Sequence, residues 1–234
     1  MRSIGLKTLA GAALLSAAFV TPAAADGLSA SAAATTNYLF RGITQTLDKP
    51  TVQASIGYDF GNGFSVGAWG SGIDFGDGKS SLETDYYANY ETTLEDLDIT
   101  LGAIYYAYPT SSSAWDYDYF EASIAVSHDF GPFSATGSVY YSPRFFGGAG
   151  NAWYFQLGAD VPLTDWLSAD ANYGYQTIDT TGYFWGKDSY SNWNLGLTAT
   201  YKAYSLNVMY SQTDLPNTAG LRDAKFVATI SASI

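Results

Sequence analysis

Two neighbouring segments with strict period-two alternation constrain the fold of this chain more than any other feature. From residue 82 to 92 apolar or aromatic side chains alternate with polar ones, and Glu83 and Asp85 lie on the polar face. A second alternating segment follows at residues 98–108, after the short charged turn TTLEDL (92–97). Alternation over about ten residues is longer than most strands of globular proteins and is the length that crosses a bilayer at a tilt.

The same pattern recurs along the chain and predicts twelve strands. We place them at residues 28–40, 51–60, 64–73, 82–92, 98–108, 117–130, 133–142, 152–161, 166–176, 192–201, 204–213 and 224–234. Connections after even-numbered strands are short, whereas those after odd-numbered strands are mostly longer, including an external loop at residues 41–50. Alternating short and long connections are typical of outer-membrane barrels. The sequence therefore predicts an all-β fold, a transmembrane up-and-down antiparallel β-barrel of about twelve strands.

The N-terminus has the pattern of a secretory signal peptide. Arg2 and Lys7 precede an apolar run at residues 9–20, and small residues follow at positions 23–25. This pattern predicts a cleaved signal at residues 1–25, a barrel at residues 26–234 and export through the periplasm to the bacterial outer membrane. The chain has a net charge of −12 and no cysteine, which disfavours nucleic acid as a partner and excludes disulfides and thiolate metal sites.

Aromatic residues predict two girdles at the interfaces with outer-membrane lipids. One set flanks the short turns: Tyr58, Phe60, Phe64, Phe130, Phe133, Trp166, Tyr201 and Tyr204. The other lies near the long loops: Tyr38, Phe40, Tyr105, Phe120, Tyr141, Trp153, Tyr173, Trp193 and Tyr210. The amphipathic last strand resembles the assembly signal of bacterial outer-membrane proteins, which implies the barrel-assembly machinery as a partner during biogenesis. It ends in Ile234 where that signal usually has an aromatic residue.

Four stretches carry a resemblance to a known family. They are TTNYLFRGITQT (35–46), GAWGSGIDFGDG (67–78), LETDYYANY (82–90) and LGAIYYAYP (101–109). On these the chain resembles the TorF-type porin family of proteobacteria, a family of otherwise unknown function. The resemblance implies an outer-membrane barrel with a pore role and no catalytic motif.

Side chains on the inward parity are the candidate functional residues. The predicted pore-lining acids are Asp59, Glu83, Asp85, Glu91, Glu121, Asp129, Asp160 and Asp170. The predicted constriction aromatics are Trp69, Tyr87, Tyr106, Tyr108, Tyr140 and Tyr154. Acidic side chains along a pore raise the local concentration of cations, although a lumen face must be polar in any case.

These features predict a narrow passive channel for small hydrophilic solutes or ions, with a preference for cations, and not an enzyme. Such a channel needs no cofactor and no metal. The alternative is a closed outer-membrane barrel with a structural or loop-borne binding role and no conductance. A third hypothesis is a barrel-embedded hydrolase, for which His128, the single histidine, is the obvious candidate; an interfacial position explains this residue more simply.

The barrel itself can be tested in detergent. We expect the mature chain to require detergent for solubility and to migrate differently on SDS gels before and after boiling, because a closed barrel resists SDS until it is heated. A chain that is soluble without detergent and shows no shift on boiling would contradict the predicted fold.

Overall fold

The structure, a computed structural model, describes residues 27–216 and 222–234. Its strands in chain order are β1 (Leu28–Thr35), β2 (Leu39–Phe40), β3 (Ile43–Thr44), β4 (Thr51–Asp59), β5 (Phe64–Gly72), β6 (Leu82–Leu94), β7 (Leu97–Ala107), β8 (Tyr119–Asp129), β9 (Ser134–Ser142), β10 (Ala152–Thr164), β11 (Leu167–Ile178), β12 (Ser189–Tyr201), β13 (Tyr204–Thr213) and β14 (Lys225–Ser233). Short 3-10 helices lie at Ser113–Trp115 and Phe146–Gly148. The predicted signal peptide, residues 1–25, lies outside the described residues.

Twelve of these strands form one closed antiparallel barrel, so the predicted fold and strand number are confirmed. Each strand pairs with its neighbour in sequence except at the seam, where β1 pairs with both β4 and β14. At that seam Ala32 faces Ala54 on one side and Ala232 on the other. No helix in residues 27–216 and 222–234 has the length and hydropathy needed to span a membrane.

The predicted first strand, residues 28–40, is wrong in its second half. The barrel strand ends at Thr35, and the chain then turns into the lumen, where β2 and β3 pair as a separate hairpin. Its two turn residues, Arg41 (φ 48°) and Gly42 (φ 81°), both have positive φ. Positive φ at both positions is what a type I′ turn requires, and this turn type suits a two-residue β-hairpin. We refer to residues 37–46 as the lumen hairpin.

The outward faces of the barrel strands form an apolar belt. Val52 is 70% exposed, and large exposed apolar side chains such as Leu157 and Leu195 follow the predicted outward parity. Exposed aromatic residues lie at the short-turn end, including Phe60 and Trp166. A continuous apolar surface of this kind, bounded by aromatic rings, is a surface that faces lipid.

Inward glycines let large side chains lie flat against the barrel wall. Tyr87 on β6 crosses Gly67 on β5 and reaches Gly57 on β4, the three being cross-strand neighbours. A Cβ at Gly67 would overlap the Tyr87 hydroxyl and lie 2.7 Å from the carbonyl oxygen of Ile56. Because Tyr87 is accommodated at the wall, it leaves the centre of the lumen less obstructed.

We expect Gly67→Ala to lower the free energy of unfolding by about 1–3 kcal/mol, because the new methyl group forces Tyr87 off the wall. Urea unfolding in detergent micelles, followed by tryptophan fluorescence, measures the change. The matched control is Gly137→Ala, where no heavy atom lies within 4 Å of the added Cβ. Equal destabilisation of the two variants would contradict a specific role for the contact between Gly67 and Tyr87.

Candidate functional site in the lumen

The lumen hairpin fills the part of the barrel nearest the long loops. Tyr38 is 3% exposed and Leu39 is 2% exposed, so both are buried inside the barrel. Tyr38 packs edge-on against Trp69 of β5 with ring centroids 5.3 Å apart, and Phe40 packs edge-on against Tyr106 of β7. The predicted positions of Tyr38 and Phe40 in the outer girdle are therefore wrong. The external loop predicted at residues 41–50 is wrong for residues 41–46, whereas residues 48–50 are exposed.

The tip of the hairpin contacts the wall at β12 and β13. A Cβ at Gly42 would lie 2.5 Å from Thr213 Cγ2 of β13 and 3.1 Å from Asn192 Cβ of β12, so only glycine fits this closely. The hydroxyl of Tyr190, also on β12, donates to the Arg41 carbonyl oxygen at 3.2 Å. The hairpin thus spans the lumen from β5 to β13.

A cluster of side-chain hydrogen bonds around Asn37 joins the two arms of the hairpin at its base. The Oδ1 atom of Asn37 accepts hydrogen bonds from the hydroxyls of Thr44 at 2.7 Å and Thr46 at 3.0 Å. Its Nδ2 atom donates to Asp48 Oδ1 at 2.7 Å. One amide therefore joins both arms of the hairpin, which keeps the turn residues in a fixed position.

Arg41 is the charged centre of the site. Its guanidinium donates to both oxygens of Glu121, at 3.0 and 2.7 Å, and to Gln176 Oε1 at 2.6 Å. Its Cζ atom lies 4.1 Å from the ring centroid of Tyr154 and 5.3 Å from that of Tyr140. We call these four wall residues the Arg41 cage. Arg41 therefore makes a bidentate, charge-assisted pair with the Glu121 carboxylate and cation–π contacts with the two tyrosine rings.

Two further carboxylates are buried beside the hairpin. Glu83 and Asp85 are two residues apart on β6, which puts both on its inner face, and each is 1% exposed. Glu83 Oε1 accepts hydrogen bonds from the hydroxyls of Tyr38 at 3.4 Å and Tyr108 at 3.2 Å. Among the described residues Glu83 Oε2 and both Asp85 oxygens have no hydrogen-bond partner. Acidic groups therefore outnumber basic ones around the hairpin.

Aromatic side chains fill much of the space that remains at this end of the lumen. Five of the six predicted constriction aromatics are buried there: Trp69, Tyr106, Tyr108, Tyr140 and Tyr154. The sixth, Tyr87, is half-buried against the wall. Tyr106 stacks on Tyr119 at 4.3 Å, and loop residue Phe146 packs edge-on against Tyr108 at 5.3 Å. Their role as a pore constriction stays a prediction.

The eight predicted pore-lining acids separate into two groups along the barrel. Glu83, Asp85 and Glu121 lie around the hairpin. The other five lie toward the short turns: Asp59, Glu91, Asp129, Asp160 and Asp170. Asp160 and Asp170 are directly paired across β10 and β11 and are half-buried, whereas Asp59, Glu91 and Asp129 are exposed. Their pore-lining role also stays a prediction.

Sequence reasoning missed Arg41 and Gln176. Tyr38 and Phe40 share one parity and extended the predicted first strand to residue 40, and this hid the turn that follows them. The available signal was the Arg-Gly pair between two short apolar runs, since a glycine in such a pair is typical of a two-residue hairpin. For Gln176, only its inward parity was visible.

The remaining charged side chains lie at the ends of the barrel. Lys49 and Asp74 form an exposed pair at 2.7 Å, and this hydrogen bond holds the pKa of Asp74 below its usual value. His128 lies beside a short turn, with Nδ1 2.9 Å from the Asp96 carbonyl oxygen and its ring edge-on to Phe130. No group of three or more His, Asp or Glu side chains in the described chain could hold a metal ion.

Comparison with known proteins identifies a family and a shared fold. A family model described as "Bacterial protein of unknown function (Gcw_chp)" matches residues 20–234, and it does not carry the TorF name. The structure is similar to a KdgM porin in complex with disordered oligogalacturonate and to a NanC porin, each with a TM-score of 0.61 and 10% identity. Both alignments cover 88% of this chain, and they cover 99% and 98% of those chains. At this identity the likeness shows the fold alone. No curated protein sequence matches the chain.

We expect Glu121→Ala to weaken the docking of the lumen hairpin by about 3–5 kcal/mol, because it leaves a buried guanidinium without its counter-ion. Native-state amide hydrogen exchange at residues 37–46 measures the free energy of local opening. The control is Asp74→Ala, which breaks the exposed pair with Lys49 and should cost no more than about 1 kcal/mol. Unchanged protection in Glu121→Ala would show that the ion pair does not hold the hairpin.

Proposed function

The chain belongs to the bacterial Gcw_chp family, whose function is unknown, and we propose that it is a porin-type channel of the outer membrane that its own lumen hairpin closes. The observation that carries this proposal is that the hairpin takes no part in the backbone pairing of the barrel strands. Thr35 and Thr51, which flank the connection from β1 to β4, pair directly with each other. The barrel is therefore complete without the intervening residues, and the hairpin is an insert that can leave the lumen.

Barrel size supports a passage once the hairpin has moved. Eight strands enclose an interior that side chains just fill, whereas sixteen or more enclose a wide aqueous channel. Twelve strands fall between these sizes. Inward glycines, with Tyr87 lying against the wall at Gly67, reduce the obstruction further. Small hydrophilic solutes or ions fit such a passage, and selectivity would come from its radius and lining without any bond-breaking step.

The charge of the wall supports a preference for cations. Toward the short turns the lumen face carries acids such as Asp160 and Asp170, whereas Lys202, the one lysine or arginine of the described chain at that end, is exposed on a turn. At the other end, departure of the hairpin would remove Arg41 and leave Glu83, Asp85 and Glu121, whereas Lys225, which pairs with Asp48, stays on β14. An acidic lining disfavours polyanions, so we do not propose oligogalacturonate, the polyanion found with the KdgM porin, as a solute of this chain.

A closed barrel without conductance is the second candidate, and the burial of the lumen hairpin favours it. Tyr38, Leu39 and Arg41 are as inaccessible as core residues of a soluble protein. If the hairpin never leaves, the chain is an outer-membrane barrel with a structural or loop-borne binding role. Removal of the hairpin distinguishes this candidate from a gated channel.

We expect a hairpin-deleted variant, with residues 36–50 replaced by Asn-Gly, to show persistent ion conductance in planar bilayers, whereas the intact chain is mostly closed. Asn-Gly forms the two-residue turn that can join directly paired strands. The control replaces residues 143–151 with Asn-Gly between the paired Ser142 and Ala152. It removes the contact of Phe146 with Tyr108 but leaves the lumen hairpin in place, so it separates loss of the hairpin from loss of loop aromatics. A folded hairpin-deleted barrel without conductance would overturn the channel and favour the closed barrel.

We expect Asp160→Asn with Asp170→Asn, made in the hairpin-deleted variant, to lower the permeability ratio of cations to anions. The two carboxylates supply negative potential where the lumen lining has no described base, and their removal weakens the attraction for cations. The reversal potential under a salt gradient measures the ratio. Asp165→Asn, at an exposed turn beside the same strands, is the control and should have little effect. An unchanged ratio in the double variant would argue against selectivity from these acids.

A further inference from the structure

The residues that accept hydrogen bonds from the Arg41 guanidinium all belong to the barrel wall, whereas the hairpin contributes the ring of Phe40, whose centroid lies 4.7 Å from Arg41 Cζ. Glu121, Tyr140, Tyr154 and Gln176 lie on β8, β9, β10 and β11, four adjacent strands. Arg41 enters this surface as a side chain from a separate element, with its guanidinium within 3.0 Å of three acceptor atoms. The wall therefore supplies every described hydrogen-bond acceptor of this guanidinium site, independently of the residue that occupies it.

We propose that the Arg41 cage is a binding site for solutes that carry a guanidinium group, and that Arg41 occupies it as a built-in competitor. The part of this inference that concerns solutes in transit rests on the proposed channel function. A guanidinium-bearing solute that reaches the cage takes the contacts of Arg41, and the lumen hairpin loses the ion pair that docks it.

The orientation of three of the four cage residues is fixed by hydrogen bonds outside the cage, whereas the buried hydroxyl of Tyr140 has no described hydrogen-bond partner. Gln176 Nε2 donates to the carbonyl oxygen of Trp153 at 3.2 Å, which turns its Oε1 atom toward the guanidinium. The Tyr154 hydroxyl donates to Asn192 at 3.2 Å, so the ring presents its face. The hydroxyl of Tyr106 donates to Glu121 Oε2 at 3.2 Å. The cage thus offers a carboxylate, an amide oxygen and aromatic faces, which is a set suited to a cation.

The shape of the cage favours guanidinium over ammonium. Two parallel hydrogen bonds to one carboxylate require a planar fork of donors, and a third donor reaches Gln176. A planar cation also stacks on the Tyr154 ring, 4.1 Å away. An ammonium group is a compact point charge and cannot make the same bidentate contact with Glu121.

The surrounding charge excludes anionic ligands. Glu83 and Asp85 already lack a described cation partner, and removal of Arg41 adds Glu121 to the uncompensated acids. A neutral or anionic solute in the cage would leave all three carboxylates buried without a counter-ion, which is costly. A cationic solute replaces the lost charge of Arg41.

Chemical rescue tests the site directly. We expect Arg41→Ala to lose amide protection at residues 37–46, and ethylguanidine well below denaturing concentrations to restore it in a saturable manner. Methylammonium and sodium at the same ionic strength should not do so. Arg144→Ala removes an exposed arginine paired with Asp116 and is the matched control, since it offers no cage for ethylguanidine to fill. The double variant Arg41→Ala, Glu121→Gln should show no rescue.

A second measurement does not depend on the folding of Arg41→Ala. The hairpin-deleted variant keeps the cage and lacks Arg41, so calorimetric titration with agmatine should show one saturable site. Glu121→Gln in that variant should weaken binding by roughly tenfold to a hundredfold, the loss expected for hydrogen bonds to a charged group.

The outcomes separate the cage from the channel. Absence of both rescue and agmatine binding would overturn the cage, even if the hairpin-deleted variant conducts ions. Equal rescue by methylammonium or sodium would overturn its selectivity for guanidinium. Rescue and binding that both depend on Glu121, found in a barrel that never conducts, would support the cage and overturn the proposed channel function.

Discussion

The need to satisfy every backbone hydrogen bond in lipid is the constraint on which the rest of this structure depends. An unpaired backbone group in the bilayer core costs several kcal/mol, so a sheet that faces lipid must have no free edge. The chain meets this requirement at one seam, where β1 pairs with β4 on one side and β14 on the other. Because β1 and β4 pair directly, the connection between them is not needed to close the wall. The lumen hairpin is part of that connection.

A closed wall creates a second problem, because its inner face carries polar and acidic side chains that must be hydrated or paired. The hairpin removes water from the end near the long loops and brings in one cation, Arg41. Pairing with Glu121 offsets part of the cost of burying both charges. Glu83 and Asp85 gain no such partner among the described residues, so the closed state retains an electrostatic penalty that aromatic packing around Tyr38 must outweigh.

The contacts that hold the hairpin in the lumen also have the chemistry of a ligand-binding site. The side chain that fills the lumen is bound through a carboxylate, an amide oxygen and aromatic faces that would also recognise a solute of the same chemistry. Under the proposed function, a seal held by such a site would be reversible by competition, whereas a seal made of apolar packing alone would not. Because the hairpin lies outside the backbone pairing of the barrel strands, the proposed opening would not require that pairing to change.

Sequence alone determined the wall: strand number, inward and outward faces and the sorting of loops all follow from a side-chain period of two, which is a local property of extended backbone. It also placed Glu83, Asp85 and Glu121 on the inner face. Only the tertiary structure decided that residues 37–46 enter the lumen and that Arg41 meets Glu121 and Gln176, from 80 and 135 positions away. Alternation reports which face a residue occupies but not which distant residues meet there. Closure of the barrel decides that, because it brings β8 and β11 around the same lumen as the hairpin.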